Sequence, residues 1–152
     1  TKPTAPSSKI HGQLDNWGVR RVKRETFGGI TPFDGYNGDE NQGQMGALGV
    51  LMAIGLFDVQ GGAAVNPYYE ITMPLFDEVT IALDPRYYPG KTFTIRTANN
   101  APENVYIQSA KLNGKPLNDF RIPHATLVQG GLLELELGPK PNKAWGVAYQ
   151  RK

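Results

Sequence analysis

The stretch Leu132-Leu133-Glu134-Leu135-Glu136-Leu137 decides the fold class of this 152-residue chain. Its leucines at odd positions alternate with two glutamates, which places apolar side chains on one face of a strand and charged side chains on the other. This alternation is typical of an antiparallel sheet that packs one face against a core and exposes the other to water. The stretch therefore predicts a β layer with one buried face.

Five more stretches read as strands, because they are short, rich in β-branched and aromatic residues, and bounded by turn formers. They cover residues 69–73, 79–83, 92–97, 104–112 and 146–149. The pair Asn113-Gly114 is the strongest hairpin signal, since both residues tolerate the positive φ of a type I′ turn. We therefore expect a mainly β fold in which residues 58–152 form an antiparallel β-sandwich or a jelly-roll-like layer.

Residues 1–57 have a different pattern and are expected to be helical after a loose start rich in Pro, Ser and Thr. One helix is predicted over 15–27, with Asp15 or Asn16 as its N-cap. A second is predicted over 42–54, with Gly55 in the C′ position that glycine favours. The chain thus divides into a segment of one or two helices and a β region.

The second predicted helix is unusual in composition. Glycines recur at 43, 46 and 49, while apolar side chains cover most of the remaining surface. A helix that is apolar nearly all round is buried, and a glycine stripe allows another backbone to approach closely. We therefore expect this segment to belong to a larger helical assembly that lies upstream.

Charge and composition exclude several classes of function. The chain has 16 basic and 14 acidic residues, so it has no basic field that would imply a nucleic-acid partner. Its basic cluster, residues 20–24, is interpreted as a solvated helix face. With no cysteine and two histidines, neither a disulfide framework nor a thiolate metal site is available, and a multi-histidine zinc site is nearly excluded.

Length and hydropathy further limit the class of protein. No apolar stretch reaches the ~18 residues that a membrane span requires, so no transmembrane helix is predicted. The chain has room for about one domain. It opens without methionine, which we interpret as a cut inside a longer protein or as a processed product.

An acidic loop stands directly before the second predicted helix, where residues 38–45 read Gly-Asp-Glu-Asn-Gln-Gly-Gln-Met. Carboxylates at a helix entrance are favoured by the free backbone N–H groups and by the helix dipole. Asp39 and Glu40 could therefore simply cap the helix. Alternatively, Asp39 could be a catalytic carboxylate, and the residue types alone leave both interpretations open.

The loop and the helix after it resemble a segment of glycoside hydrolase family 92, the calcium-dependent α-mannosidases, in which the loop reads Gly-Asp-Glu-Asp-x-Gly-Gln-Met. Further blocks that resemble the family follow in the same order, at residues 69–77, 90–95, 99–109, 112–116 and 138–143. Because the blocks are collinear and span most of the chain, chance agreement is a poor explanation.

The resemblance implies an inverting, exo-acting hydrolase that removes α-linked mannose from glycans. It also implies an amino-terminal β-sandwich, an (α/α)6 barrel and a carboxy-terminal β layer, with residues 1–57 as the end of the barrel and residues 58–152 as the final layer. The partners would be mannose-containing glycans and the upstream parts of the same protein. Calcium is the implied cofactor, with no ligand assigned in this chain, and the implied location is secreted or periplasmic.

Inverting glycosidases use one carboxylic acid to protonate the leaving oxygen and a carboxylate on the opposite face to activate water. The resemblance assigns the base to Asp39 and leaves the acid upstream, so we expect the isolated chain to be inactive. Asn41 stands where the family has a second aspartate, and an amide can position water but cannot take its proton at neutral pH. Either Asp39 acts alone, or the loop is impaired, or the residue has been changed deliberately. Gln44 could hydrogen-bond the loop or a sugar hydroxyl.

Two further departures from the family pattern stand out. Leu48-Gly49 replaces a Trp-Tyr pair, which suggests an altered barrel wall, and Met73 replaces a serine. His124 is interpreted as a turn-stabilising residue rather than a ligand. Four aromatic residues could stack on sugar rings but are interpreted as packing residues: Trp17, Trp145, Tyr87 and Tyr88.

Two alternatives from other functional classes stay open. The β region could be a noncatalytic module that binds carbohydrate, or it could be a structural layer that supports a barrel. In the structural case the isolated chain would expose apolar surface where helices are missing, and it would associate.

Overall fold

The computed structural model describes residues 11–29, 35 and 43–146, and over residues 11–17 it describes the backbone alone. The helices in these ranges are α1 His11–Thr26, α2 Gln44–Ile54 and α3 His124–Leu127. The strands are β1 Leu56–Phe57, β2 Tyr68–Ile71, β3 Glu78–Ala82, β4 Thr92–Ala98, β5 Tyr106–Leu112, β6 Lys115–Pro116, β7 Arg121–Pro123 and β8 Gly131–Gly138. Helix α3 lies between β7 and β8.

Helix α1 begins earlier than its capping signals indicated. We expected Asp15 or Asn16 as the N-cap, but both lie inside the helix, so that prediction is wrong. The helix ends at Thr26, one residue before its predicted end at residue 27. A cap residue contributes only about 1 kcal/mol, so its preference is weak enough for the helix to extend past it.

Helix α2 is flanked by two glycines in the left-handed conformation. Gly43 precedes it with a φ of 85°, so the helix begins at Gln44 rather than at residue 42, which lies outside the described ranges. Gly55 follows it with a φ of 80° and donates its N–H to the Leu51 carbonyl at 3.1 Å. Because a residue with a Cβ is strained in this conformation, the prediction of Gly55 as the C′ residue is confirmed.

Five strands form the larger sheet, in the order β3-β4-β8-β5-β6. Strand β8 lies between β4 and β5, and it runs parallel to β4 with Ile95 beside Leu133. The prediction of a wholly antiparallel layer is therefore wrong at this pair. Parallel neighbours need a long connection, and the chain reaches β8 only after contributing β7 to the other sheet.

The smaller sheet has the order β1-β2-β7 and is antiparallel throughout its described pairs. In the larger sheet, the hairpin between β5 and β6 turns at Asn113 and Gly114, which have φ values of 51° and 75°. Positive φ at both residues is what a type I′ turn requires, so the predicted hairpin is confirmed.

The two sheets share one hydrophobic core. Its inward side chains come from alternating positions of each strand, as the two-residue period predicted. The larger sheet contributes Phe93, Ile95, Ile107, Ala110, Leu133, Leu135 and Leu137, and the smaller sheet contributes Leu56, Ile71 and Ile122. The expected mainly β fold, a β-sandwich that follows helices, is confirmed.

Strand β5 contains a β-bulge. Ile107 and Ala110 are both buried although they are three residues apart, a spacing that would place them on opposite faces of a regular strand. The register with β8 shifts between Ile107 and Ser109, so one extra residue is inserted on the β5 side. The bulge therefore returns Ala110 to the core face.

The outer face of the larger sheet carries a row of alternating charges. Arg96 lies between Glu78 and Glu134 on neighbouring strands, and Lys111 lies on the other side of Glu134. Arg96 donates from Nε to the Glu78 carboxylate at 2.8 Å. Opposite charges on adjacent strands are mutually favourable. The glutamate of β8 thus belongs to a solvated face.

Helix α2 is less buried within this chain than its composition predicted. Val50 is 60% exposed, and the longer apolar side chains of the helix are half-buried. Gly49 is buried, but it faces a ring rather than a backbone, since a Cβ there would lie 3.1 Å from Cδ1 of Phe27. Within the described residues the helix therefore leaves an apolar surface open, and its burial in a larger helical assembly stays a prediction.

Met73, the residue that departs from the family serine, lies fully buried in the shared core. An unbranched thioether side chain fills irregular space between packed neighbours. A serine at this position would leave part of that volume empty and would bury a hydroxyl group. The substitution is thus explained by core packing.

Of the predictions for the tryptophans and the last strand, the structure tests only the one for Trp145. Trp145 is buried in the core and donates from Nε1 to the Leu117 carbonyl at 2.8 Å, which confirms its packing role. The strand predicted over 146–149 lies beyond the described residues except for Gly146, which is in a bend. The side chain of Trp17 is likewise outside them.

Gly55 allows a direct test of the junction between α2 and the sandwich. A Cβ at this position would lie 2.6 Å from Cγ of Pro74, and φ is 80°. We expect Gly55→Ala to lower the free energy of unfolding by about 3 kcal/mol, combining left-handed strain with overpacking. Urea denaturation of Gly55→Ala and of a control variant, Gly62→Ala, measures how far each lowers the free energy of unfolding.

Gly62 is the matched control because it has a φ of 73° but no neighbouring atom within 4 Å of an added Cβ. Gly62→Ala should cost only about 1 kcal/mol, the strain alone. Equal losses in the two variants would contradict the close packing of Gly55 on Pro74.

Candidate active site

The residues assigned to catalysis from the family resemblance, Asp39 and Asn41, lie outside the described residues, as does Glu40. The assigned binding residue, Gln44, is the first residue of α2 and is exposed. The structure therefore describes the two helices that flank this loop and the contacts that hold them.

Helix α1 ends in a contact with α2. Phe27 is buried, and its ring occupies the space in front of Gly49. The Lys23 ammonium group donates a hydrogen bond to the Phe27 carbonyl oxygen at 2.9 Å. A cation thus satisfies a carbonyl at the end of the helix. Where the family has a tyrosine, Gly49 is small enough to admit this ring. The departure at Leu48-Gly49 is thus matched by a neighbouring aromatic residue on α1.

Helix α2 ends on a segment of the sandwich that belongs to one of the family-like blocks. Thr72 donates its N–H to the Gly55 carbonyl at 2.9 Å, and Leu75 donates its N–H to the Ala53 carbonyl at 3.0 Å. These are main-chain bonds, so they fix the end of α2 independently of side-chain identity. The helix, and with it Gln44, is thereby positioned relative to the sandwich.

A buried arginine fixes α1 to the same sandwich. Arg20 is 5% exposed. Its guanidinium donates from Nη1 to the carbonyl oxygens of Ala101 at 3.0 Å and Asn104 at 3.5 Å, and from Nη2 to Oδ1 of Asn100 at 2.6 Å. All three acceptors lie in the loop between β4 and β5. A planar donor with several fixed acceptors sets orientation as well as distance.

Asn100 links the arginine to the other helix. It accepts from Arg20 through Oδ1 and donates through Nδ2 to the Leu75 carbonyl at 3.4 Å. Leu75 is in turn bonded to Ala53 of α2. The path from Arg20 through Asn100 and Leu75 to Ala53 therefore connects the two helices through the sandwich.

The loop that receives Arg20 is itself held by asparagine side chains. Asn104 donates from Nδ2 to the Asn99 carbonyl at 2.7 Å, and the Asn99 amide donates to Glu136 of β8. Asn99 has a φ of 59°, a conformation that asparagine adopts more readily than most residues. The asparagine-rich block at 99–104 is thus a preformed acceptor for the guanidinium.

The interpretation of residues 20–24 as a solvated helix face is wrong for Arg20. It is right for Arg21, which pairs with Glu25 on the surface at 2.9 Å. Arg20 was missed because a charged residue is rarely buried, although its spacing of seven residues from Phe27 places both on one helix face. That spacing was the available signal.

Burying a guanidinium carries an electrostatic cost. Burial, together with the nearby Arg24, lowers the pKa of Arg20 from its ordinary value. Its Nε atom has no hydrogen-bond partner among the described residues. An apolar side chain would avoid this cost, so the arginine serves geometry at this contact more than stability.

His124 has structural contacts in the sandwich. The Tyr69 hydroxyl lies 3.1 Å from its Nδ1, and its backbone N–H donates to the Pro67 carbonyl at 2.9 Å. Burial, with smaller effects from Asp58 and Tyr88, raises the pKa of the Tyr69 hydroxyl, so the phenol keeps its proton at ordinary pH. His124 thus stabilises the start of α3, as the turn-stabilising interpretation has it.

Within the described ranges, no group of three or more His, Asp or Glu side chains is close enough to hold a metal ion. These residues therefore do not offer the carboxylate cluster that a calcium site prefers. Nor is any helix in these ranges long and apolar enough to cross a membrane.

Comparisons with known proteins agree with the pattern of blocks. The model of the glycosyl hydrolase family 92 catalytic domain matches residues 16–139. A curated relative from Arthroderma benhamiae, named as an uncharacterized secreted glycosidase, is 40% identical over 114 residues, which make up 74% of this chain and 14% of the relative. The family-model match includes the loop, both sheets and the part of α1 that carries Arg20.

Solved structures give the same result. A family GH92 inverting mannosidase from Bacteroides thetaiotaomicron has a TM-score of 0.75 and 34% identity, covering 89% of this chain and 17% of that one. A GH92 α-mannosidase from the same organism has a TM-score of 0.77 and 23% identity, covering 92% and 18%, and shows the shared fold. The chain thus spans less than a fifth of the length of these relatives. It belongs to glycosyl hydrolase family 92.

Proposed function

We propose that this chain is the carboxy-terminal part of an α-mannosidase-type glycoside hydrolase that removes α-linked mannose from glycans by an inverting, single-displacement mechanism. The observation that carries the proposal is the family match over residues 16–139, which extends across the loop with Asp39. The 34% identity with a protein named as an inverting mannosidase supports the same substrate class.

In this mechanism Asp39 acts as the general base. Its carboxylate accepts a proton from a water molecule as that water attacks the anomeric carbon, while an acid from another part of the enzyme protonates the leaving oxygen. Asn41 holds the water by a hydrogen bond but takes no proton, because an amide does not ionise near neutral pH. Gln44, exposed at the start of α2, is available to bind a sugar hydroxyl.

The contacts of α1 and α2 support a positioning role for Arg20. The loop with Asp39 leaves α1 and enters α2, so its two ends are as fixed as those helices are. Arg20 holds α1, and the bonds from Thr72 and Leu75 hold α2. A base must lie within hydrogen-bond reach of its water, and small displacements reduce the rate strongly.

The general acid and the rest of the sugar pocket are proposed to come from an upstream barrel and an amino-terminal β-sandwich. The open apolar surface of α2, including Val50, supports this, because an exposed apolar helix face in a folded protein marks a contact with another element. By itself, the chain should therefore be inactive.

Calcium binding and location are further parts of the proposal. Calcium would act as a Lewis acid toward sugar oxygens, and no catalytic step of these residues depends on it here. Secretion is supported by the relative named as a secreted glycosidase, and a periplasmic location is the bacterial equivalent.

Asn41 favours a second candidate function. If the missing aspartate is essential, the chain serves as a noncatalytic β-sandwich that binds carbohydrate or as a structural layer. Its family membership would then reflect descent rather than activity. The variants below separate these candidates.

The catalytic proposal predicts opposite effects at the two loop positions. In the full-length enzyme, Asp39→Asn should lower kcat for mannose release by about 100-fold or more, because it removes the base. Asn41→Asp should raise kcat or leave it unchanged, since it restores a second carboxylate. Initial rates of mannose release from an α-linked mannobiose measure both effects.

Glu40→Gln is the matched control for Asp39→Asn, because it removes a neighbouring carboxylate that we assign no catalytic role. Its kcat should stay within about twofold of the parent. Full activity of Asp39→Asn would refute the assignment of the base. If the parent is inactive and Asn41→Asp restores activity, the noncatalytic candidate describes the natural protein.

Arg20 is predicted to act on kcat through geometry. Arg20→Met in the full-length enzyme should lower kcat about 10- to 100-fold with little change in KM, because the base is displaced while most sugar contacts remain. Arg20→Lys should recover part of the loss, since one ammonium can satisfy some of the three acceptors. Steady-state kinetics with soluble, folded protein measure kcat and KM separately.

Arg24→Met is the control, because Arg24 is an exposed cation on the same helix. It should leave both kinetic constants unchanged. A purely structural role for Arg20 would lower thermal stability while leaving the kcat of the folded fraction intact, and that result would contradict the positioning role.

A further inference from the structure

The turn between β3 and β4 presents an aromatic ring to solvent. Tyr87 is 74% exposed, although a tyrosine usually buries much of its ring. It lies in the sequence Asp84-Pro85-Arg86-Tyr87-Tyr88-Pro89. Tyr87 is not among the residues that pack against the core, so its interpretation as a packing residue is wrong and its ring is open to a ligand.

The turn is rigid. The Asp84 carbonyl accepts from the backbone N–H groups of Tyr87 and Tyr88, each at 3.0 Å, and Leu83 donates its N–H to the Lys91 carbonyl at 2.9 Å. Prolines at 85 and 89 restrict φ on both sides. The backbone that carries the ring is therefore restrained before any ligand arrives.

Gly90 packs the base of the turn against the rest of the sandwich. Its N–H donates to the Val128 carbonyl at 3.0 Å, and a Cβ at this position would lie 2.4 Å from the Gln129 carbonyl carbon. Only glycine permits so close an approach of two backbones. The base of the turn is thus closed against the segment after α3.

Charged groups are fixed beside the ring. Arg86 donates from Nη2 to Oδ2 of Asp84 at 2.6 Å and from Nε to the same carboxylate at 3.0 and 3.1 Å. Its guanidinium carbon lies 5.6 Å from the centroid of Tyr87. The Arg86 hydrogen bonds lower the pKa of Asp84, so the carboxylate stays ionised in mildly acidic conditions.

A row of rings supports Tyr87 from within. Tyr88 meets it edge to face at 6.5 Å between centroids, and His124 follows at 6.1 Å from Tyr88. Tyr69 completes the row at 5.8 Å from His124 and bonds it through its hydroxyl. Tyr88 and Tyr69 are half-buried and pack against the core, so the exposed ring contacts rings that are themselves supported.

We propose that Tyr87, Arg86 and Asp84 form a carbohydrate-binding site on the sandwich. A pyranose would stack its apolar C–H face on the Tyr87 ring, while its hydroxyl groups donate to Asp84 and accept from Arg86. A rigid aromatic ring binds at low entropic cost, and hydrogen bonds to charged groups are stronger than neutral ones. The proposal rests on the proposed function, in which the substrate is a mannose-containing glycan.

The composition of the turn favours a sugar over a protein partner. A stable protein interface buries about 800 Å² on each side around an apolar centre. Here a single ring lies beside one guanidinium–carboxylate pair, which matches the size of one sugar unit.

Binding by the 152-residue chain tests the site without any need for turnover. We would follow the aromatic ¹H–¹³C signals of Tyr87 by NMR during titration with α-linked mannobiose, and compare affinities by electrophoresis in gels with mannan. The Tyr87 signals should shift, and Tyr87→Ala should weaken binding at least about tenfold, whereas Tyr87→Phe should stay within about threefold because the ring face remains.

Phe76→Ala is the matched control, since Phe76 is another exposed aromatic residue on the sandwich. It should bind as the parent does, and Arg86→Ala should bind more weakly. Binding of other disaccharides at the same signals also supports a carbohydrate site. Absence of any binding, or equal binding by folded Tyr87→Ala, refutes it, as does capture of a protein partner through Tyr87 without sugar binding. If the full-length enzyme released no mannose while sugar still bound at Tyr87, only the proposed function would be refuted.

Discussion

The guanidinium of Arg20, enclosed by oxygen atoms of the loop between β4 and β5, is the contact on which the helical part of this chain depends. Helix α1 has few other described ties to the sandwich, whereas α2 is held by main-chain bonds at its end. Because three acceptors surround a planar donor, the contact fixes rotation as well as position. Phe27, which follows α1, packs against Gly49 and so fixes α2 relative to α1.

Helix α2 belongs to two environments at once. One side meets Phe27 and the sandwich, and Val50 on another side faces solvent. In an isolated small domain such a helix would be poorly stable, since its glycines disfavour helix and its apolar surface is only half covered. Its sequence makes sense when further helices pack against it, which is what the family's larger proteins provide room for. The sandwich is thus the base on which helices α1 and α2 are held.

Much of the fold could be predicted from local patterns, because alternation along β4 and β8, the Asn113-Gly114 turn and the Gly55 stop are local signals. The parallel pairing of β4 with β8 could not, since it depends on which distant strands meet. Burial of Arg20 was hidden for the same reason, because its acceptors lie some 80 residues away. At the candidate site, Asp39 and Asn41 follow from the family motif alone, whereas the frame around them required the structure.

The place of β8 also bears on how the protein acquires its fold. It is the last described strand along the chain, yet it sits between β4 and β5. Until residues 131–138 leave the ribosome, the β3-β4 pair and the β5-β6 hairpin have no partner, and their inner edges stay open. Open edges are the usual starting points of aggregation. The sheet therefore closes only when β8 is available, so loss of residues from 131 onward would leave the β3-β4 and β5-β6 pairs without the strand that joins them.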